Sequence, residues 1–259
     1  MRLQALPAFN DNYIWLLHDD AGRALVVDPG QAEPVLAAAD ADGWRPSAIL
    51  LTHHHPDHVG GTAQLQACWP GLPVFAADDP RIDGAPIPVG HGQRITAGGR
   101  RLDVIGVPGH TTSHVAFHLE DADESLLFCG DTLFSLGCGR LFEGSAAQMH
   151  GSLSRLAALP GHTRVCCGHE YTLSNAAFAR VVEPDNPALR RRTEEAQAMR
   201  DAALPTLPST IADELACNPF LRCDQPAVID AVARRMGHQL ADEIEVFAEL
   251  RRWKDGFAG

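Results

Sequence analysis

The sequence predicts an α/β fold that gives way, after about residue 172, to a run of helices. Three observations predict it. Short apolar runs bounded by Gly, Pro, Asn and Asp recur through the first part of the chain, as buried strands do. Helix-period segments stand between several of those runs. Beyond residue 172 only helix-period segments remain, punctuated by Pro184, Pro187, Pro205, Pro208 and Pro219. The change in pattern divides the chain into a first domain, 1–171, and a helical second domain, 172–259.

Residues 1–18 read as two strands around a turn at Asn10-Asp11-Asn12, and Arg23–Asp28 (RALVVD) as a third, stopped by Pro29-Gly30. Gln31–Ala41 is Ala-rich and helix-like, and Ser47–Thr52 (SAILLT) is an apolar run of strand length. His58–Trp69 reads as one helix ended by Pro70. Residues 70–100 give only weak strand signals near Val74 and Ile95, with Gly98-Gly99 as a turn. Strands recur at Leu102–Val107, Val115–Leu119, Ser125–Cys129 and Arg164–Cys167, with a helix at Ser145–Leu159. The tail predicts helices at Thr172–Val182, Asn186–Arg200, Thr210–Ala216, Pro226–Arg235 and Gln239–Arg252, and no strand.

Composition narrows the function. With Lys+Arg 21 against Asp+Glu 33, the formal charge of −12 argues against a nucleic-acid partner, which needs clustered positive surface. No apolar stretch reaches the ~18 residues that span a membrane. The seven cysteines are odd in number, lack a C-x-x-C and sit mostly in apolar runs, as free thiols of a reducing cytosol do. A cytoplasmic protein, by default a monomer, is the expectation.

Chemistry concentrates at strand ends. SAILLT, whose last residue is Thr52, runs directly into Thr52-His53-His54-His55-Pro56-Asp57-His58, which offers imidazoles and a carboxylate in the mixture that suits zinc. The pattern returns: the strand RLDVIGV leads to His110, SLLFCG to Asp131, and RVCCG to His169. Five histidines and two aspartates exceed what one tetrahedral metal takes, and suit two metals sharing a bridge. His54, between two candidate ligands, is expected to point away from them. His114 and His118 read as histidines satisfied in the fold, with His114 a possible support for a ligand. His18, His91, His150, His162 and His238 read as surface, Arg190-Arg191-Arg192 as a solvated helix face, and Cys138 as packing rather than a nucleophile.

The motifs T-H-H-H-P-D-H-V-G-G, P-G-H-T, C-G-D-T and G-H-E-Y together resemble the metallo-β-lactamase superfamily. Cys138–Gly144 (CGRLFEG), His169–Asn175 (HEYTLSN), Asn218–Arg222 (NPFLR) and Arg251–Asp255 (RRWKD) narrow the resemblance to its glyoxalase II (hydroxyacylglutathione hydrolase) branch, over essentially the whole chain. The resemblance implies an αββα sandwich with a C-terminal helical domain. It implies two divalent metals, zinc first and iron or manganese as alternatives. His53, His55 and His110 would hold one, and Asp57, His58 and His169 the other. Asp131 would bridge them, which gives Asp57 and Asp131 catalytic roles. It implies hydrolysis of glutathione thioesters, chiefly S-D-lactoylglutathione, with Arg140, Phe142, Tyr171, Asn175, Arg251 and Lys254 on the glutathione. Arg140 and Phe142 stand where one form of the pattern has Lys and Tyr, so a hydroxyl is missing at 142. Ser113 stands where the G-H-T-x-G-H form has glycine. A mononuclear iron dioxygenase, a lactonase or β-lactamase, and a nuclease of the same superfamily fit less well, as does a non-catalytic metal protein. The first three give no reason for the helical tail or, for the nuclease, conflict with the acidic charge; the last has no need of seven donors.

Overall fold

The computed structural model describes residues 1–84, 86–121 and 124–257. Contacts group the chain into two compact units. The first comprises Met1–Gly106, Ser113–Gly130 and Cys166–Glu170; the second comprises Val107–Thr112, Asp131–Val165 and Tyr171–Gly259. The helical tail expected from residue 172 is thus one part of a unit that also takes in 107–112 and 131–165. The reason is packing: the helix of 146–157 is amphipathic and sets its apolar side against tail helices.

The first unit opens with antiparallel strands β1 (Arg2–Ala8), β2 (Asn12–His18) and β3 (Arg23–Val27). Helix α1 (Glu33–Asp42) returns the chain to β4 (Arg45–Leu51), parallel to β3. Two short helices, α2 (Pro56–Val59) and α3 (Thr62–Cys68), lead to β5 (Val74–Ala77) and β6 (Ile87–Val89), again parallel. The sheet order is β1-β2-β3-β4-β5-β6. Ala48, Ile49, Leu50 and Leu51 are all fully buried, the continuous apolar run of a parallel strand covered on both faces. A second, antiparallel sheet carries β7 (Arg94–Ala97), β8 (Arg100–Gly106), β9 (Val115–Glu120) and β10 (Ser125–Gly130). Gly98 and Gly99, at φ 57° and 77°, form the two-residue turn between β7 and β8 that only such backbones make easily.

The expected helix over 58–69 is two helices, and the first begins at Pro56. A Cβ on Gly60 would lie 2.8 Å from Gly30 O, and one on Gly61 2.6 Å from Ala32 N, so the chain breaks where backbones meet. Pro56 at the helix start fixes φ and places Asp57 and His58 on its first turn. Strand β6 escaped the sequence reading because its apolar content is confined to three residues among glycines and prolines.

In the second unit, β11 (Leu133–Phe134) and β12 (Gly137–Cys138) form a two-residue-strand hairpin, followed by α4 (Ala146–Ala157). Strand β13 (Arg164–Cys167) begins here, pairing at Arg164 and Val165 with β14 (Ser209–Thr210). Helices α5 (Thr172–Val182), α6 (Pro187–Asp201), α7 (Ile211–Cys217), α8 (Pro226–Met236) and α9 (Glu243–Asp255) complete it. Strand β14 corrects the expectation of a strandless tail; two residues give no periodicity to read. Helix α9 starts after Asp242, whose carboxylate accepts from Glu245 N, rather than at Gln239. Phe178, Phe220 and Phe247 are buried and meet ring to ring, with Phe178 6.1 Å from Phe220 and Phe220 5.8 Å from Phe247. Asn218 of the NPF motif is fully buried and donates from Nδ2 to Phe134 O and Gly137 O, tying the hairpin to the helices. Arg190 and Arg191 are exposed as expected, but Arg192 is buried and donates to Thr206 O at 2.7 Å. Its position on the inner face of α6 overrides the reading of the run as solvated.

Candidate metal centre and substrate pocket

In the first unit, the loop after β4 and the end of β13 bring His53, His55, Asp57, His58 and His169 into use. Strand β4 runs into α2 and β13 into α5, and His53, His58 and His169 are buried at those junctions. Donor atoms of Asp57, His58 and His169 all lie within 4.8 Å of one another. Asp57 Oδ2 is 3.5 Å from His58 Nε2 and 3.5 Å from His169 Nε2. His53 Nε2 faces His55 Nδ1 at 3.0 Å.

The other ring nitrogens are fixed by hydrogen bonds. Asp28 accepts from Thr52 N at 2.8 Å, Thr52 Oγ1 at 2.7 Å and His58 Nδ1 at 3.0 Å. Since Thr52 Oγ1 gives its proton to Asp28, it can only accept from His53 Nδ1, 3.1 Å away. His169 Nδ1 donates to Asp11 Oδ1 at 2.8 Å. In each of these rings the hydrogen is on Nδ1, so Nε2 carries the lone pair. Asn12 Nδ2 donates to Asp57 Oδ2 at 2.9 Å and fixes that carboxylate. Asp11, Asn12, Asp28 and Thr52 are the functional residues that sequence reasoning missed. Asp28 ends an apolar strand, like the candidate ligands, and that signal could have found it; Asp11 and Asn12 read only as turn residues.

In the second unit, His110 and Asp131 stand together, with His110 Nε2 3.5 Å from Asp131 Oδ2. His110 Nδ1 donates to Arg140 O at 2.9 Å, so this ring too presents Nε2. Both line a cavity of about 580 Å³. Its wall includes all six residues expected to touch glutathione: Arg140, Phe142, Tyr171, Asn175, Arg251 and Lys254. They do not play equal parts. Phe142 is 63% exposed, with its ring 5.2 Å from that of His110, an apolar wall with no hydroxyl to donate. Asn175 is buried and donates to Ser135 O, and Arg251 is buried and donates to Cys138 O at 2.8 Å. Lys254 donates to Ser174 O at 3.0 Å. Burial pushes the Lys254 ammonium down to about 8, and the nearby Arg251 and Arg140 push the same way. A cluster of three cations so placed favours an anion. Burial raises the Cys138 thiol to about 11, which makes it no thiolate nucleophile and agrees with its reading as packing.

The remaining histidines fall as follows. His54 turns to Asp79, its Nδ1 3.5 Å from Oδ2. His114 is buried with its ring stacked on that of His53, at 4.6 Å and 13°. His118 is buried against Ser125 Oγ. His91, His162 and His238 are exposed as expected, and His18 and His150 are half-buried. All seven cysteines are free thiols. No helix among the described residues is long and apolar enough to cross a membrane.

Sheets ending in His and Asp clusters of this kind define a class of metal-dependent proteins, and comparison agrees. The metallo-β-lactamase superfamily pattern matches residues 9–71 and 69–169. The BLEG-1 B3 metallo-β-lactamase shares the fold, at TM-score 0.63 and 24% identity over 85% of this chain and 99% of that one. A di-iron-bound structure of TTHA1623 matches at TM-score 0.53 and 32% identity, over 61% of this chain and 87% of that one. Residues 170–257 match the C-terminus of hydroxyacylglutathione hydrolase. The hydroxyacylglutathione hydrolase of Xanthomonas euvesicatoria pv. vesicatoria is 61% identical over 99% of both chains. The chain belongs to the hydroxyacylglutathione hydrolase family of the metallo-β-lactamase superfamily.

Proposed function

We propose that the protein hydrolyses S-(2-hydroxyacyl)glutathione thioesters, chiefly S-D-lactoylglutathione, to D-lactate and glutathione, the second step of methylglyoxal detoxification. It works in the cytoplasm as a monomer, with residues 1–171 as the catalytic domain and 172–259 as the substrate-binding domain. His53, His55 and His110 hold one divalent metal, and Asp57, His58 and His169 a second. Asp131 bridges, and zinc is the metal proposed. The donor chemistry fits: the imidazoles of His53, His58, His110 and His169 commit Nδ1–H to acceptors within the protein, which leaves Nε2 basic. That set of anchored rings is the observation that carries the reading. The di-iron form of a 32%-identical relative keeps iron as the alternative.

When bound, the two cations lower the pKa of water towards neutrality and polarise the thioester carbonyl. The chain's own residues do the rest. Asn12 and Asp28 orient Asp57 and His58 through hydrogen bonds made before substrate arrives. Lys254, with Arg251 and Arg140 beside it, binds the carboxylate end of glutathione, and Phe142 forms an apolar part of the same wall. The leaving thiolate has a conjugate acid of pKa about 8.5, so it departs without a strong general acid. The test is hydrolysis of S-D-lactoylglutathione by purified protein, with metal content measured on the same sample. The expected result is turnover with two metals per chain, abolished by chelation. Full activity with one metal would refute the bridging role of Asp131.

A further inference from the structure

Asp79, just after β5, is buried in the first unit, its side chain 2% exposed. Its Oδ1 accepts from Arg81 N at 3.0 Å and Arg81 Nε at 2.8 Å. Its Oδ2 accepts from Arg81 Nη2 at 2.7 Å and Ser113 Oγ at 2.5 Å. His54 Nδ1 stands 3.5 Å from the same Oδ2. The Arg81 guanidinium and the Ser113 hydroxyl hold this carboxyl well below the usual carboxylate range, against the cost of burial. Asp79 is therefore a fixed anion, and none of the proposed chemistry uses it.

Two arms lead from this anion to His53. One is His54, which lies between His53 and His55 in the chain. The other is Ser113, which precedes His114, whose ring lies face to face with His53 at 4.6 Å. His53 Nδ1 donates to Thr52 Oγ1 and its Nε2 faces His55 Nδ1 at 3.0 Å, contacts that hold the edge of the ring and leave its faces to packing. The ring of His114 packs on one of those faces, and His54, next in the chain, lies within ion-pair reach of Asp79. Preorganised ligands of this sort bind metal more tightly than ligands that must be ordered on binding. The Ser113 hydroxyl is what joins the second arm, and a glycine at 113 has none.

We propose that Asp79 is a positioning residue for the His53–His55 pair, acting through His54 and through Ser113 and His114. The inference rests on reading His53 and His55 as metal ligands. Its test uses the full chain with Ser113→Ala, Ser113→Thr, Asp79→Asn and, as reference, His53→Ala. Zinc retention is measured against a chromophoric chelator, and imidazole NMR resonances are followed in the metal-free protein. Ser113→Ala should weaken zinc retention about 10-fold, shift the His53 and His114 ring resonances, and leave the urea midpoint near its original value. Ser113→Thr, which restores the hydroxyl, should restore both readouts. Asp79→Asn should weaken retention more; if it fails to fold, the Ser113 pair decides alone. Unchanged zinc retention and ring resonances in Ser113→Ala, or a loss of stability alone, would overturn the proposal. If His53→Ala also keeps its zinc, the ligand reading itself falls; if His53→Ala loses zinc and Ser113→Ala does not, only the positioning role falls.

Discussion

Replacing Lys254 by Met should make the protein more stable and a poorer binder of substrate at the same time. Burial, then Arg251 and Arg140, bring the ammonium from 10.5 down to about 8. Between those values the unfolded chain holds a proton that the folded chain has released. Stability therefore rises as pH goes from 8 to 10.5, and at pH 7 the charge costs stability. The shift corresponds to 1.36 kcal/mol per unit, but the group is only half-buried and solvent screens it, which leaves about 1–2 kcal/mol. Loss of the hydrogen bond to Ser174 O offsets part of this. Removing the charge also removes one proposed partner of the glutathione carboxylate, worth about 1–2 kcal/mol, or about 5- to 30-fold in KM. The contact is remote from the reacting carbonyl, so kcat should change little. In the unaltered protein about nine-tenths of Lys254 is charged at pH 7 and about one-tenth at pH 9, so KM should climb across that window. The Met variant should lose this climb and keep only the titration of the substrate's own amine. Steady-state kinetics on S-D-lactoylglutathione from pH 6.5 to 9.5 and urea unfolding at pH 7 and 9.5 read both effects. A variant with unchanged KM, or one less stable at pH 7, would falsify the argument.

Asp28→Asn should weaken metal retention about 10- to 100-fold, measured by chelator competition, because one carboxylate orders both Thr52 and His58. Asp131→Asn should cost more activity than His114→Ala in folded, metal-assayed samples, since Asp131 is the proposed ligand of both metals and the stacked His114 ring supports only one proposed ligand. Arg192→Ala should destabilise by about 2–4 kcal/mol in urea while the folded fraction keeps its KM, because the buried Thr206 carbonyl and Ser135 hydroxyl lose their donor. Glu214, whose pKa burial raises, binds a proton more readily in the folded state than in the unfolded one. Stability should therefore fall as pH rises above the usual glutamate range, and Glu214→Gln should flatten that slope in pH-dependent unfolding.

How much of this was legible follows from how each feature is encoded. The ligand-type residues stand at the ends of apolar strands, a one-dimensional signal, and the helices of the tail were found within a few residues of their bounds. Two things stayed hidden. Two- and three-residue strands such as β6, β11 and β14 exist only by pairing, so their own residues carry no period. The partners of the histidines are acids and amides that look like turn residues until folding sets Asp11 beside His169 and Asp28 beside His58. Arg192 failed for the opposite reason: a run of three arginines reads as solvated, and only the packing of α6 shows that its third member turns inward.

The anchors of the histidines also decide when the site can exist during folding. Asn12 reaches Asp57 across 45 residues, Asp28 reaches His58 across 30, and Asp11 reaches His169 across 158. Closing the last of these loops brings the beginning of the chain to the end of β13, and such distant pairings form late. Until those loops close, a metal ion meets donors whose anchoring hydrogen bonds are not yet made. It should not act as the seed around which the chain collapses, in the manner of a zinc finger. It should act as a latch: binding after the sheets close, slowing unfolding by mass action, and leaving the rate of folding almost untouched.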